Sequence, residues 1–422
     1  MSDLIQNLPE TWSVSELGEL NIHKFGTINP KDFPNEIFEY YSIPDYRRDQ
    51  RPSTILGGEI ESAKLILKPQ CVLFGKLNPR VEKVWRVGNS TDLRQIGSTE
   101  WIPIFPCEDV DSDFLYFLEW SDHVMPLAKK LVSGSTPSRQ RVDPKSFYKI
   151  KVPLPPLPEQ KKIAHILSTV QRAIEAQERI IQTTTELKKA LMQKLFTEGL
   201  RGEPQKQTEV GQIPESWEVK KVGEIADLKS GGTPSRKNPE FWDNGSIPWV
   251  KTGEVDYCTI TDTEEKITEA GLEQSSAKLF PAGTLIMAMY GQGITRGKVA
   301  ILGIEASTNQ ACVAFFPNKE IDSKYLYFYF EYSYDEIRNF AHGANQKNLS
   351  AEIIKTYPVI YPKDKGEQRE IAGVLEELDR KNQIHHKKKR VYQDLFRTLL
   401  HELMTAKVRV NNIDPQEKEA SA

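Results

Sequence analysis

Segments in the first half of this 422-residue chain recur in the second about 205 to 211 positions later, and this spacing restricts the fold more than any single motif. Pro9, Glu10, Trp12 and Gly18 return as Pro214, Glu215, Trp217 and Gly223. The run DSDFLYF from Asp111 to Phe117 returns as DSKYLYF from Asp322 to Phe328. The stretch from Glu159-Gln160 to Leu195-Phe196-Thr197 returns from Glu367-Gln368 to Leu403-Met404-Thr405. A period near 208 is far too long for a solenoid, so each copy must close a core of its own. Two related domains in one chain suit a ligand or partner that also has two related halves.

Composition narrows the class. Apolar residues make up 38% and charged residues 27%, with a mean hydropathy of −0.51, which supports real cores beneath a highly charged surface. No apolar run approaches the roughly 18 residues of a membrane span. The opening MSDLIQNLPE has neither the charged nor the apolar region of a secretory signal, so the chain is expected in the cytoplasm. Cys71, Cys107, Cys258 and Cys312 form no CxxC pair and read as small buried hydrophobes. With 56 Lys and Arg against 59 Asp and Glu, the net charge is −3, so any surface for nucleic acid must be local.

Along the chain, 1–157 reads as short strands punctuated by Gly, Pro, Asn and Asp, and 213–365 repeats the pattern. Proline closes each copy, as Pro153, Pro155, Pro156 and Pro158, then as Pro358 and Pro362. Immediately afterwards the period becomes helical. Ile163, Leu167, Val170, Ile174, Ile181, Leu187, Leu191 and Leu195 predict one long helix over 158–200, and Ile371, Leu375, Leu378, Ile384, Val391, Leu395, Leu399 and Leu403 predict its twin over 366–409. A rod of about 60 Å exceeds its own small domain, so the two are expected to pair. Gly373 in the first turns does not end the second helix. Ile166, Ala173, Ile180, Val374, Phe396 and Leu400 widen the apolar stripe toward a further partner. The stretch 201–212 reads as a surface linker and 410–422 as a flexible tail.

Enzyme motifs fail on specific positions. His401-Glu402 begins like the metalloprotease pair, but the second ligand position is Thr405. Gly291, Gly293 and Gly297 have the wrong spacing for a dinucleotide loop, and no P-loop sequence occurs. Asn238-Pro239-Glu240-Phe241 lacks the second proline of the element with which amino-methyltransferases hold a flipped base. His385 and His386, followed by four basic residues, read as a solvated helical face.

Basic, amide-rich loops recur at comparable places and differ in letters. In the first copy they offer Arg47, Arg48 and Arg51, then Lys76, Asn78 and Arg80, then Arg139, Gln140 and Arg141. In the second they offer Arg236 and Lys237, Lys251 and Thr252, Tyr290, Gln292, Thr295 and Arg296, then Asn345, Gln346 and Lys347. Arg, Lys, Asn and Gln can pair with guanine or adenine edges, whereas Ser, Thr and backbone N–H groups suit phosphates. Retained scaffold with changed loops is what two readers of two different sequences require.

A Pro-Glu-x-Trp entry, a Pro-rich run ending in Glu-Gln, and a long helix ending Leu-Met-Gln-Lys-Leu-Phe-Thr are followed by the whole unit again. Across residues 8–409 this resembles the specificity subunit of Type I restriction-modification systems. Lys363-Asp364-Lys365-Gly366 replaces the Pro-Pro-Leu-Pro of the first copy at the second boundary. The resemblance implies an α+β fold: two strand-rich target recognition domains separated by two long antiparallel helices, a coiled-coil spacer with pseudo-twofold symmetry. It implies a non-catalytic subunit that reads a bipartite, asymmetric site in double-stranded DNA. Two modification subunits would dock on it, with up to two restriction subunits in systems that also cleave. S-adenosylmethionine, and ATP with magnesium, would sit on those partners, and this chain would bind neither a cofactor nor a metal. The rival readings are a methylation-only system, a self-contained methyltransferase, and a coiled-coil adaptor with no DNA role.

Overall fold

The computed structural model describes residues 8–134, 136–291, 294–340 and 349–410. Four helices carry the architecture: α1 (Ser112–Trp120), α2 (Leu157–Glu198), α3 (Ser323–Tyr332) and α4 (Lys365–Met404). The chain divides into two compact units, residues 1–178 with 387–422, and residues 179–386. Each unit therefore owns one strand-rich domain, the start of the helix that follows it, and the end of the other long helix.

In the first unit, Ser13–Glu16 pairs antiparallel with Lys151–Leu154, so the entry strand is tied to the strand that leads into α2. A five-stranded sheet runs in the order Thr27–Ile28, Lys64–Ile66, Arg94–Gly97, Ile37–Tyr41, Ser53–Leu56. A three-stranded sheet has Val72–Gly75 between Val84–Arg86 and Trp101–Ile104. In the second unit, Trp217–Lys221 pairs with Pro358–Pro362 as the equivalent tie before α4. A five-stranded sheet runs Ala226–Ser230, Cys312–Pro317, Leu285–Ala288, Val299–Leu302, Thr259–Ile260, and a four-stranded sheet is centred on Ile247–Val250 and Ala306–Thr308. The stretch read as a plain linker contains a hairpin, Gln205–Thr208 with Gly211–Pro214.

The repeated words now have physical roles. Asp111 caps α1 by accepting the Phe114 N–H at 2.9 Å, and Asp322 caps α3 by accepting those of Lys324 and Tyr325. Gln160 and Gln368, both fully buried, lock each capping residue to the first turn of the long helix. Trp12 donates its indole N–H to Glu159 at 3.0 Å, and Arg409, arriving beyond the end of α4, grips the same carboxylate at 2.7 Å. In the second unit Glu367 accepts the Leu200 N–H at 2.9 Å, and Arg201 stands 3.9 Å from it.

The long helices run antiparallel within each unit. Glu178 meets Lys389 at 2.8 Å while Glu159 meets Arg409 in the first unit; Thr185 meets Asn382 at 3.3 Å and Lys188 meets Asp379 at 2.7 Å in the second. Their apolar stripe is used differently from a simple seam. Ile163, Leu167 and Leu403 are buried in the first domain's core with Trp12, Phe114 and Phe117, while Leu195, Ile371 and Leu375 are buried in the second with Trp217, Tyr325 and Phe328. Leu378 is buried, and Val170, Ile174, Leu191 and Leu399 are half-buried. Leu395 is a correction: placed in the seam by its spacing, it is 43% exposed, as is its twin Leu187 at 47%. The physical reason is that the ends of each rod turn their apolar face to a globular core, which leaves these two leucines pointing away from it. The two rods pair, as their length led us to expect, and each also lies partly on a domain.

Candidate nucleic-acid interface

In the first unit the basic loops converge. The strand Val72–Gly75 ends in a turn where Asn78 takes a left-handed φ of 48°, a conformation that asparagine tolerates better than most residues. There its N–H donates to the Gln140 carbonyl at 2.8 Å, and the Val142 N–H donates to Lys76 at 3.0 Å, so the segments 76–80 and 139–141 lie side by side. Lys83, only 1% exposed, points its ammonium at the carbonyl oxygens of Asn78 and Val81. Burial first, then the charge of Arg47, brings the pKa of Lys83 down to about 8.

Not every charge there is available to a ligand. Arg48 pairs with Asp45 at 2.8 Å, and Arg141 grips Glu100 through two nitrogens, at 3.0 and 2.9 Å, which holds its pKa above the usual guanidinium value. Arg47, Arg51, Arg80 and Arg139 are exposed and form no ion pair among the described residues. Lys76 and Gln140 are half-buried beside them.

In the second unit Arg236 and Lys251 meet at one carboxylate, Glu265. The Arg236 guanidinium stacks on Trp242 at 3.7 Å and on Trp249 at 4.9 Å, and Lys251 is also held by Glu264. Lys237, next in sequence, is exposed and forms no ion pair among the described residues. Thr252 opens a short 3-10 turn, Thr252–Glu254. After the strand Leu285–Ala288 comes the loop that carries Tyr290, 39% exposed, and half-buried Thr295 and Arg296. Gly297 closes that loop at φ 90°, where its N–H reaches the Ala288 carbonyl at 2.8 Å. Ile294, 68% exposed in the same loop, escapes any search for charged and amide groups. Gln292, Asn345, Gln346 and Lys347 lie outside the described residues.

Each unit has a cleft of its own between its domain and the long helix that follows. In the first it is about 320 Å³, with Asp113, Tyr116 and Phe117 facing Gln171 and Arg172. In the second it is about 420 Å³, with Lys324, Tyr327 and Phe328 facing Asp379 and Arg380. The aromatic pair and the arginine are common to both, whereas the charge opposite is reversed.

The sequence profile of the Type I restriction modification DNA specificity domain matches twice, over residues 9–185 and 214–391. The chain belongs to this family. Each match covers one strand-rich domain and most of the long helix after it, which is the repeated element seen in the sequence. Among members of the specificity family, the chain is 26% identical to the Type I restriction enzyme MjaVIII specificity subunit of Methanocaldococcus jannaschii, over 96% of this chain and 95% of that one. Its fold is similar to that of a Type I restriction-modification system S subunit from M. genitalium, with a TM-score of 0.61 and 16% identity, over 94% of this chain and 97% of that one. A second structure, titled for complex assembly and conformational transition of the type I R-M system, aligns with a TM-score of 0.55 and 19% identity, over 95% of this chain and 100% of that one. For a specificity-family chain, the retained clasp of Asp111 with Gln160 and of Asp322 with Gln368 is scaffold, and the unlike loops are where the two units part. No described helix is long and apolar enough to cross a membrane.

Proposed function

We propose that this chain is the DNA-reading subunit of a Type I restriction-modification complex, in which each unit reads one half of a bipartite, asymmetric duplex site. The observation that carries this is the contrast between the units: matched clasps and matched clefts, but unlike basic loops at 47–51, 76–80 and 139–141 on one and at 236–252 and 290–296 on the other. The exposed guanidiniums of Arg51, Arg80 and Arg139, and the ammonium of Lys237, serve phosphates and base edges. The antiparallel long helices set the unspecified gap between the half-sites. The exposed Leu187 and Leu395, together with the two clefts, serve as seats for two modification subunits.

Under this reading the chain itself carries out no chemistry. S-adenosylmethionine binds the modification subunits, ATP with magnesium binds restriction subunits where the system has them, and the whole works in the cytoplasm. Enrichment from a random duplex library, with the modification subunit present, tests the proposal. A motif of two defined segments at a fixed separation is the expected result. A single contiguous motif, or no enrichment, contradicts it. A methylation-only complex enriches the same motif and differs only in lacking ATP-dependent cleavage.

A further inference from the structure

Each domain receives the end of a long helix that is not its own, and the two seats use opposite chemistry at one point. In the second unit Lys188 is 8% exposed, and its ammonium lies 2.7 Å from Glu331, 2.7 Å from Asp379 and 5.2 Å above the Phe328 ring. Glu331 belongs to α3 and Asp379 to the start of α4, so three separate elements meet at this charge.

The internal repeat identifies the corresponding positions in the first unit. Lys188 corresponds to Phe396, Glu331 to Trp120, Asp379 to Gln171 and Phe328 to Phe117. The structure verifies the register. The Phe396 and Phe117 rings stand 5.9 Å apart, as Lys188 stands over Phe328, and Met192 and Leu195 are buried in one core as Leu400 and Leu403 are in the other. Trp120 and Phe396 both pack against the first core. An ionic triad in one seat is therefore an aromatic and amide set in the other.

We infer that Lys188, Glu331 and Asp379 form a pairing code that admits only the end of α2 to the second seat and only the end of α4 to the first. Were the ends exchanged, Lys188 would enter the first seat facing Trp120 and Gln171 where its own seat offers two carboxylates, and Glu175 there is already engaged by the Gln171 amide at 3.2 Å. Phe396 would enter the second seat and leave the half-buried Glu331 and Asp379 without the cation they share. Stranding a buried charge is far more costly than forming the pair is favourable, so the code acts by penalising the wrong partner. A chain half that pairs with its own kind suffers one of these two faults whichever half it is.

The consequence is that each domain takes the helix end supplied by its own chain rather than the like end of a second copy. Two identical halves joined through such seats would be related by a true twofold and would present the same reader twice. Taken with the function proposed above, the triad keeps a second copy from pairing like reader with like; the pairing code itself does not depend on that function.

The test uses the intact chain with a protease site inserted at the exposed Glu209–Val210 turn and cleaved after folding. The halves are separated in mild denaturant, allowed to reassociate, and weighed by native mass spectrometry without DNA. Like-with-like pairs below about one in ten are expected for the wild-type halves. The triple variant Lys188→Phe, Glu331→Trp, Asp379→Gln gives both seats the aromatic chemistry, and like pairs should rise toward about half, the statistical share. The reciprocal variant Trp120→Glu, Gln171→Asp, Phe396→Lys makes both seats ionic with the same expectation, and serves if the first does not fold. Statistical pairing of the wild-type halves overturns the inference, and so does strict pairing that persists in a folded triple variant. Failure of the library selection described above would leave this outcome unchanged, because no DNA enters the pairing assay.

Discussion

The side-chain oxygen of Gln160 accepts the Asp111 backbone N–H at 2.9 Å, which ties the cap of α1 to the first turn of α2 from 49 residues away. Its amide nitrogen donates to the carbonyls of Asp109 and Pro155, both at 2.9 Å, and the side chain is fully buried. Gln368 repeats all three bonds with Asp322, Glu320 and Pro362. Gln160→Leu keeps the volume and orphans one donor and two acceptors, so a loss of about 3 kcal/mol from the first unit is expected. Urea unfolding with hydrogen exchange read at residues 112–120 measures it. A loss below about 1 kcal/mol would mean that the clasp is dispensable.

Glu119 gives the first unit a pH dependence that the second lacks at the matching position. It is fully buried, neither carboxyl oxygen has a hydrogen-bond partner among the described residues, and the repeat places Phe330 at the equivalent site. Burial holds its carboxyl well above the usual 4.5. A raised folded-state pKa contributes stability that is fully present below the unfolded value and is lost as pH rises through the folded value. Glu119→Gln should therefore flatten the fall in first-unit melting temperature between mildly acidic and alkaline buffer. Parallel melting curves for wild type and variant across that range would contradict this.

Adjacent basic residues in the second unit should behave oppositely. Lys237 is exposed and forms no ion pair among the described residues, so Lys237→Gln should weaken DNA binding and reduce the slope of log affinity against log salt by about 1. Arg236 is stacked on Trp242 and Trp249 and paired with Glu265. Arg236→Gln should cost about 1 kcal/mol of second-unit stability and leave the salt slope unchanged. Binding titrations at several salt concentrations, with a melt of each variant, separate the two. Equal slope changes would show that Arg236 leaves its stack to meet DNA.

The duplication and the two long helices were legible in the sequence because each rests on local signals: repeated words and a 3.6-residue period. The seating of the helix ends was not. Arg409 meets Glu159 across 250 positions, and an apolar stripe has the same spacing whether it faces a second helix or a globular core. Leu395 was misplaced for that reason. The basic loops were found by composition, but composition is blind to the carboxylates that engage Arg141 and Lys251 from other segments, and to the turn of helix that sets Asp45 against Arg48. Lys188 carries no sequence signal of its own; only comparison with Phe396 at the matched position reveals it.

The claim that each unit reads its own half-site is tested most directly by domain exchange. Residues 1–157 are replaced by the equivalent domain of a relative with a different target, the chain is expressed with its modification partner, and adenine methylation is mapped across the host genome by long-read sequencing. The expected result is a new first half-site beside an unchanged second half-site at an unchanged separation. Alteration of both halves, or of the separation alone, would contradict independent reading by the two units.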